Sequence, residues 1–226
     1  MARYFGHALG AGARACLMLF ALGWGVLAPA TAQDLLDRQQ ALQALVQAEP
    51  EQRLAGMLRL ADIGTAADAD AVLPLLRDTD PNLRQLALPL VWRLWSRSGD
   101  AEIDALYQQG VALMQSGALP AAVVVFTHII DKQPGFAEAW NKRATLLYML
   151  DQYDRSMKDC DEVLRRVPRH FGALSGYAQM LAQSGQPERA LTYLERAIAV
   201  NPNMVDAQEM VRELRRQIEI RRRNST

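Results

Sequence analysis

The chain has 226 residues, half of them apolar, with 25 Lys and Arg against 25 Asp and Glu. This composition excludes a disordered tail, and the balanced charge argues against a protein held to nucleic acid by phosphate neutralisation, which needs a basic excess. Two cysteines exclude a disulfide framework.

Arg3 and Arg14 are the only charges before Asp34. An apolar run from Ala15 to Leu27 follows them, then Pro29 and Ala30-Thr31-Ala32. A basic start, a short apolar run and small residues at alternate positions mark a secretory signal peptide cut after Ala32. An uncleaved anchor needs about 20 apolar residues, which this glycine-interrupted run does not supply. Residues 1–32 are therefore expected to be removed, and residues 33–226 to work in the periplasm or outside the cell. Removing Arg3 and Arg14 leaves a slight acidic excess and no strong steering field. Cys160 is then the one remaining cysteine and has no internal partner.

Residues 33–99 carry a helical pattern with a weak repeat. Asp80 is a good N-cap, with Pro81 at the first helical position, after the apolar stretch Ala71-Val72-Leu73-Pro74-Leu75-Leu76. An earlier partial copy runs from Leu36 to Ile63, with Pro50 and Arg53 standing 31 residues before Pro81 and Arg84. The segment resembles a HEAT-type repeat. The resemblance implies helix pairs joined by a ladder of turn Asp and second-helix Arg, for which Asp78 and Arg84 are the candidates. Gly99-Asp100 is the expected seam between this segment and residues 100–202, and a packed junction is expected because no long flexible stretch occurs there.

From 100 to 202 the chain repeats every 34 residues. Pro134, Pro168 and Pro202 share one register, as do Leu113, Leu147 and Leu181. Small residues form two columns: Gly110, Ala144 and Ala178, then Ala122, Ser156 and Ala190. Gly117, Asp151 and Gly185 fall together, and so do Phe126, Cys160 and Leu194. The unit is two antiparallel helices. Its small columns admit close approach, its Gly/Asp column ends the first helix in a left-handed residue, and its proline follows the second helix. A helix pair cannot bury its apolar face alone, so the units stack. Residues 203–226 add a capping helix and tail, with Val205, Met210, Val211, Leu214 and Ile218 on its apolar side.

The period and columns, best kept in Ala139-Trp140-Asn141-Lys142-Arg143-Ala144 with Tyr148, Tyr153 and Pro168, resemble the tetratricopeptide repeat. The first and third copies depart from it, with Leu106 and Leu174 in place of Trp140. The resemblance implies an all-α fold, a right-handed superhelical stack of antiparallel helix pairs, or α-solenoid. It further implies a concave groove lined by the first helix of each repeat. Those positions are Tyr107, Val111 and Met114, then Asn141, Thr145 and Tyr148, then Ser175, Gln179 and Ala182. One subfamily clamps a chaperone's terminal carboxylate at positions that here read Tyr107, Val111, Lys142, Gly172 and Gly176. Four of these five cannot grip a carboxylate, so that clamp is not expected.

Little else points to chemistry. His128 and His170 lie in different repeats, no zinc or phosphate-loop motif occurs, and Cys160 fills an apolar column. No cofactor, metal or catalytic activity is expected. The C-terminal arginines, Arg212 to Arg223, alternate with glutamates; a solvated capping face is the first reading and weak contact with anionic lipid the second. The function expected is that of an exported, periplasmic interaction module that binds a protein or peptide on the concave face and no nucleic acid. Similarity to bacterial tetratricopeptide proteins supplies the bacterial setting. The alternative is an envelope-associated scaffold that assembles through its convex face or its basic last helix.

Overall fold

Helix starts are written locally. Asp37 accepts from the Gln40 amide at 2.8 Å and opens α1 (Arg38–Ala44). Pro50 begins α2 (Pro50–Ile63) and Pro81 begins α4 (Pro81–Trp95), where Asp80 accepts from Asn82 N–H at 2.7 Å. A proline at the first position loses nothing, because that N–H has no intrahelical partner anyway. Between them the chain does not form a full first helix. It tightens into a 3-10 turn over Ala66–Asp68, one turn of α3 (Ala69–Val72), and a second 3-10 segment over Leu73–Arg77. Pro74 lacks the amide proton that a regular α-helix would need there.

The computed structural model describes residues 35–224. The predicted signal peptide and its cleavage point after Ala32 lie outside the described residues. Among the described residues there are eleven α-helices and no strand, which is the all-α stack of helix pairs expected. The 34-residue unit appears as α5 (Ala101–Gln115) with α6 (Leu119–Lys132), α7 (Ala137–Met149) with α8 (Tyr153–Arg166), and α9 (Phe171–Gln183) with α10 (Pro187–Val200). A final helix, α11 (Val205–Asn224), packs on α10 through Ala207, Val211 and Leu214.

Every column has its mechanical part. Gly117, Asp151 and Gly185 have φ of 79°, 57° and 75° and end the first helix of each pair. One residue later, the amides of Ala118, Gln152 and Gln186 donate back to Leu113, Leu147 and Leu181 at 2.8–2.9 Å. That bond closes the helix end and uses carbonyls otherwise left unpaired. The small columns are buried, and Phe126, Cys160 and Leu194 are each almost inaccessible. A Cβ on Gly110 would sit 2.8 Å from the Phe126 ring. Gly110→Ala is therefore expected to cost about 1–3 kcal/mol of stability by overpacking, readable in a urea melt.

The ladder of the N-terminal half also forms, with its partners shifted by one unit. Asp78 receives a bidentate pair from Arg53 of the preceding copy, at 2.8 and 2.9 Å. Arg84 does not meet that carboxylate; its guanidinium donates to the carbonyls of Asp78 and Thr79. Arg53 donates likewise to Gln47 and Ala48. The repeat is thus kept in its hydrogen bonds as well as in its prolines.

The N-terminal half does more than extend the array. Gly99, at φ 88°, turns the chain, and Asp100 caps α5 through Glu102 N–H at 2.8 Å. The core of α2–α4 then continues directly into the third repeat, taking in Phe171, Leu174, Ala197 and Val200. Asn203 Nδ2 donates to the Leu76 carbonyl at 2.8 Å, and Arg77 donates to the last carbonyls of α10 at Ile198 and Ala199. Residues 35–224 accordingly belong to one compact unit.

Candidate functional site

The first helices of the repeats, α5, α7 and α9, carry the predicted inner wall. The junction with the N-terminal half fills that wall at Gly172. Trp92 and Trp95 of α4 meet His170 and Phe171 at the start of α9. Trp95 stacks on His170 with ring centroids 3.9 Å apart, and Trp92 is edge-on to Phe171 at 5.3 Å. Gly172 provides the room: a Cβ there would lie 2.6 Å from the Trp92 ring.

Beneath this aromatic cluster lies a buried polar network. Glu138 is 2% exposed, and its carboxylate meets His170 Nε2 at 3.0 Å, Asn141 Nδ2 at 3.1 Å, Lys142 Nζ at 3.2 Å and the Tyr107 hydroxyl at 3.4 Å. His170 Nδ1 accepts from the Ala173 amide at 3.1 Å, so the ring proton is on Nε2 and is donated to Glu138. Burial alone pushes the Glu138 pKa up; its bonds with His170 and the charge of Lys142 outweigh burial and hold it below the ordinary carboxylate value. Burial and the Glu138 charge push the Tyr107 hydroxyl the other way, upward.

Four of the predicted groove positions are taken up by packing. Tyr107 is 3% exposed, with its ring edge-on to Phe126 and Phe136 at 5.7 Å and its hydroxyl 3.2 Å from Ser96. It is a core residue, because Phe126, Phe136 and Glu138 close around it, and it offers no surface to a ligand. Val111 and Met114 are half-buried against the same core. Ala182 packs with the core of α9–α11.

Four others come together. Asn141, Thr145, Tyr148 and Gln179 line a cleft of about 110 Å³ between the second and third repeats, floored by Gly172, Gly176 and Ala173. Tyr148 is central. Its hydroxyl oxygen accepts from Gln179 Nε2 at 2.9 Å and from Gln183 Nε2 at 2.8 Å. Both acceptor sites are then used, and the hydroxyl proton remains to be donated. Asn141 spends its amide nitrogen on Glu138, and the Thr145 hydroxyl donates to the Asn141 carbonyl at 3.0 Å. The Asn141 and Gln179 side-chain oxygens and the Thr145 hydroxyl oxygen remain as acceptors. Ser175 lies outside this cleft and lines its neighbour.

The floor was readable in part. Glycines at 172 and 176, one helical turn apart on α9, remove side chains from two successive inner-wall positions. Trp92 carried no such signal, since nothing local ties α4 to α9. Cys160 lines the cleft from behind but is buried, and burial with Asp159 and Asp161 pushes its thiol up to about 12, which makes it inert. Among the described residues no group of His, Cys, Asp and Glu could hold a metal ion. In α11, Arg212, Arg215, Arg216 and Arg223 pair with Glu209, Glu195, Glu213 and Glu219.

The tetratricopeptide repeat profile matches residues 172–204, which span α9, α10 and the turn into α11. A TPR repeat-containing protein of Rhizobium etli is 37% identical over 137 residues, covering 61% of this chain and 67% of that protein. The chain belongs to the tetratricopeptide repeat family. A second relative by sequence is anaphase-promoting complex subunit 7 of Dictyostelium discoideum, 27% identical over 88 residues, 39% of this chain and 15% of that one. Among solved structures, the first tetratricopeptide domain of Spaghetti, bound to an HSP90 peptide, superposes with a TM-score of 0.51 at 19% identity, covering 53% of this chain and 96% of that domain. That likeness is one of fold. At the positions of a carboxylate clamp this tetratricopeptide protein has the buried Tyr107, a Lys142 bonded to Glu138, and a Gly172 filled by Trp92.

Proposed function

We propose that this protein is an exported adaptor that holds an extended segment of a partner protein in the cleft between its second and third repeats. The observation that carries the reading is the Tyr148 hydroxyl. Two glutamine amides use its oxygen, so its proton is left for a carbonyl oxygen. With acceptors on Asn141, Gln179 and Thr145 beside it, the cleft matches the alternating donors and acceptors of an extended backbone. It carries no net charge, which suits a peptide main chain rather than a charged terminus. Membership of the tetratricopeptide family and the leader-like residues 1–32 support the adaptor role and the periplasmic or secreted setting.

The test is a photo-crosslinking amino acid placed at Gln179, in the cleft, or at His128, exposed on α6, in the intact cell. Adducts are expected from position 179 and not from 128. Tyr148→Phe is expected to weaken capture of the adduct-forming partner roughly three- to tenfold, the worth of one hydrogen bond. Equal adducts from both positions would remove the groove assignment.

A further inference from the structure

A second cleft opens where α4 meets the start of α11, and it shares Gly172 with the first. Its volume is about 500 Å³, within the range of pockets that accept side chains and small ligands. Leu88 and Trp92 form one wall, and Met204 and Val205 the other. Val205 is 62% exposed although it opens a helix, so its methyl groups are left to water.

Its charge is one-sided. Asp206 is the one charged residue in the lining, and among the described residues its carboxylate makes no hydrogen bond or ion pair. On Trp92, Lys142 Nζ stands 5.8 Å from the ring centroid and is already bonded to Glu138. The repeat register explains the placement. Glu138, Gly172 and Asp206 occupy one column at successive offsets of 34 residues, so Asp206 continues the inner wall past the last repeat. The N-terminal half sets Trp92 into that column at Gly172.

We infer that this second cleft is a specificity pocket for the partner segment bound in the first, and that it takes an apolar side chain followed by a basic one. The inference rests on the groove reading above. A chain lying along Tyr148 and Gln179 passes Gly172 directly into the second cleft. There an aliphatic or aromatic side chain covers Leu88, Trp92 and Val205, and the next residue's ammonium or guanidinium meets Asp206. A basic residue is selected because the lining holds an acid and no cation.

The probe is a set of short synthetic peptides with Leu, Phe or Ala at one fixed position and Lys, Ala or Glu at the next. Binding to the protein is read by fluorescence anisotropy, with thermal melts confirming that each variant is folded. For the wild type the expected order is Lys over Ala over Glu, with roughly two- to fivefold between steps, as for one partly exposed ion pair. Asp206→Lys is expected to reverse the order, and Val205→Ser to reduce the preference for Leu or Phe over Ala. Binding that falls with Tyr148→Phe but keeps its order in Asp206→Lys overturns the pocket and leaves the groove. A lysine preference that moves with Asp206 but ignores Tyr148→Phe overturns the first cleft, and with it the second cleft's place as the specificity pocket of a segment bound there. No retained peptide at all overturns both.

Discussion

Trp95→Ala is expected to lower the unfolding free energy by about 3–5 kcal/mol, the usual cost of deleting a large buried aromatic side chain. Trp95 is 2% exposed and stacks on His170, while its other contacts reach Trp92 and Phe171. Those contacts join α4 to α9 across the whole intervening sequence, so the loss spreads beyond the N-terminal half. Hydrogen exchange should show it: amides around Ala197–Asn203 are expected to lose protection together with those of α2 and α4, because Arg77 and Asn203 hold the two together. Protection in α10 equal to wild type would mean that the N-terminal half is only an end piece. Trp95→Phe is the milder control. The indole Nε1 is buried without a hydrogen-bond partner among the described residues, so the smaller ring removes volume but also an unpaired donor.

Glu138→Ala is the second large effect, about 3–5 kcal/mol, because it strands the partners of a buried charge. His170 loses the acceptor for its Nε2 proton, and Lys142 and Asn141 lose theirs. Glu138→Gln keeps the shape and is expected to cost less. The same network sets the response to acid. The folded-state pKa of Glu138 lies below the ordinary value of 4.5, so its contribution is complete above that value. It is lost as pH falls through the lower folded value, where the carboxylate must take up a proton to stay buried. Denaturant midpoints measured from neutral pH down to below 4.5 should fall for the wild type and stay flatter for Glu138→Gln. A Glu138→Gln protein with the full acid slope would place that slope on other carboxylates.

The helix pairs, their turns and the small-residue columns were legible because each depends on a few neighbouring residues. Asp151 at φ 57° is one case, a non-glycine in the left-handed region that its column predicts. The cleft between the second and third repeats was legible only in part. Asn141, Thr145, Tyr148 and Gln179 meet in one cleft because they recur on the same face of successive first helices. Tyr107 shares that face and is nevertheless buried, because its ring packs on Phe126 and Phe136 and its hydroxyl meets Ser96 and Glu138, contacts that the column register alone does not record. Over Ala71–Leu76 the helical pattern survives only in short pieces, because Pro74 cannot supply the amide that a regular helix needs.

The sequence by itself determined an array of paired helices, the points where each begins and ends, and its membership of a repeat family. Those follow from capping, left-handed turn residues and apolar periodicity, all of which act over one or two helical turns. Only the tertiary structure decided that α4 sets Trp92 over Gly172, that Glu138 is buried with His170 as its partner, and that the inner wall is divided into two adjoining clefts. Docking one half on the other depends on the summed shape and desolvation of surfaces far apart in the chain. That sum has no local signature.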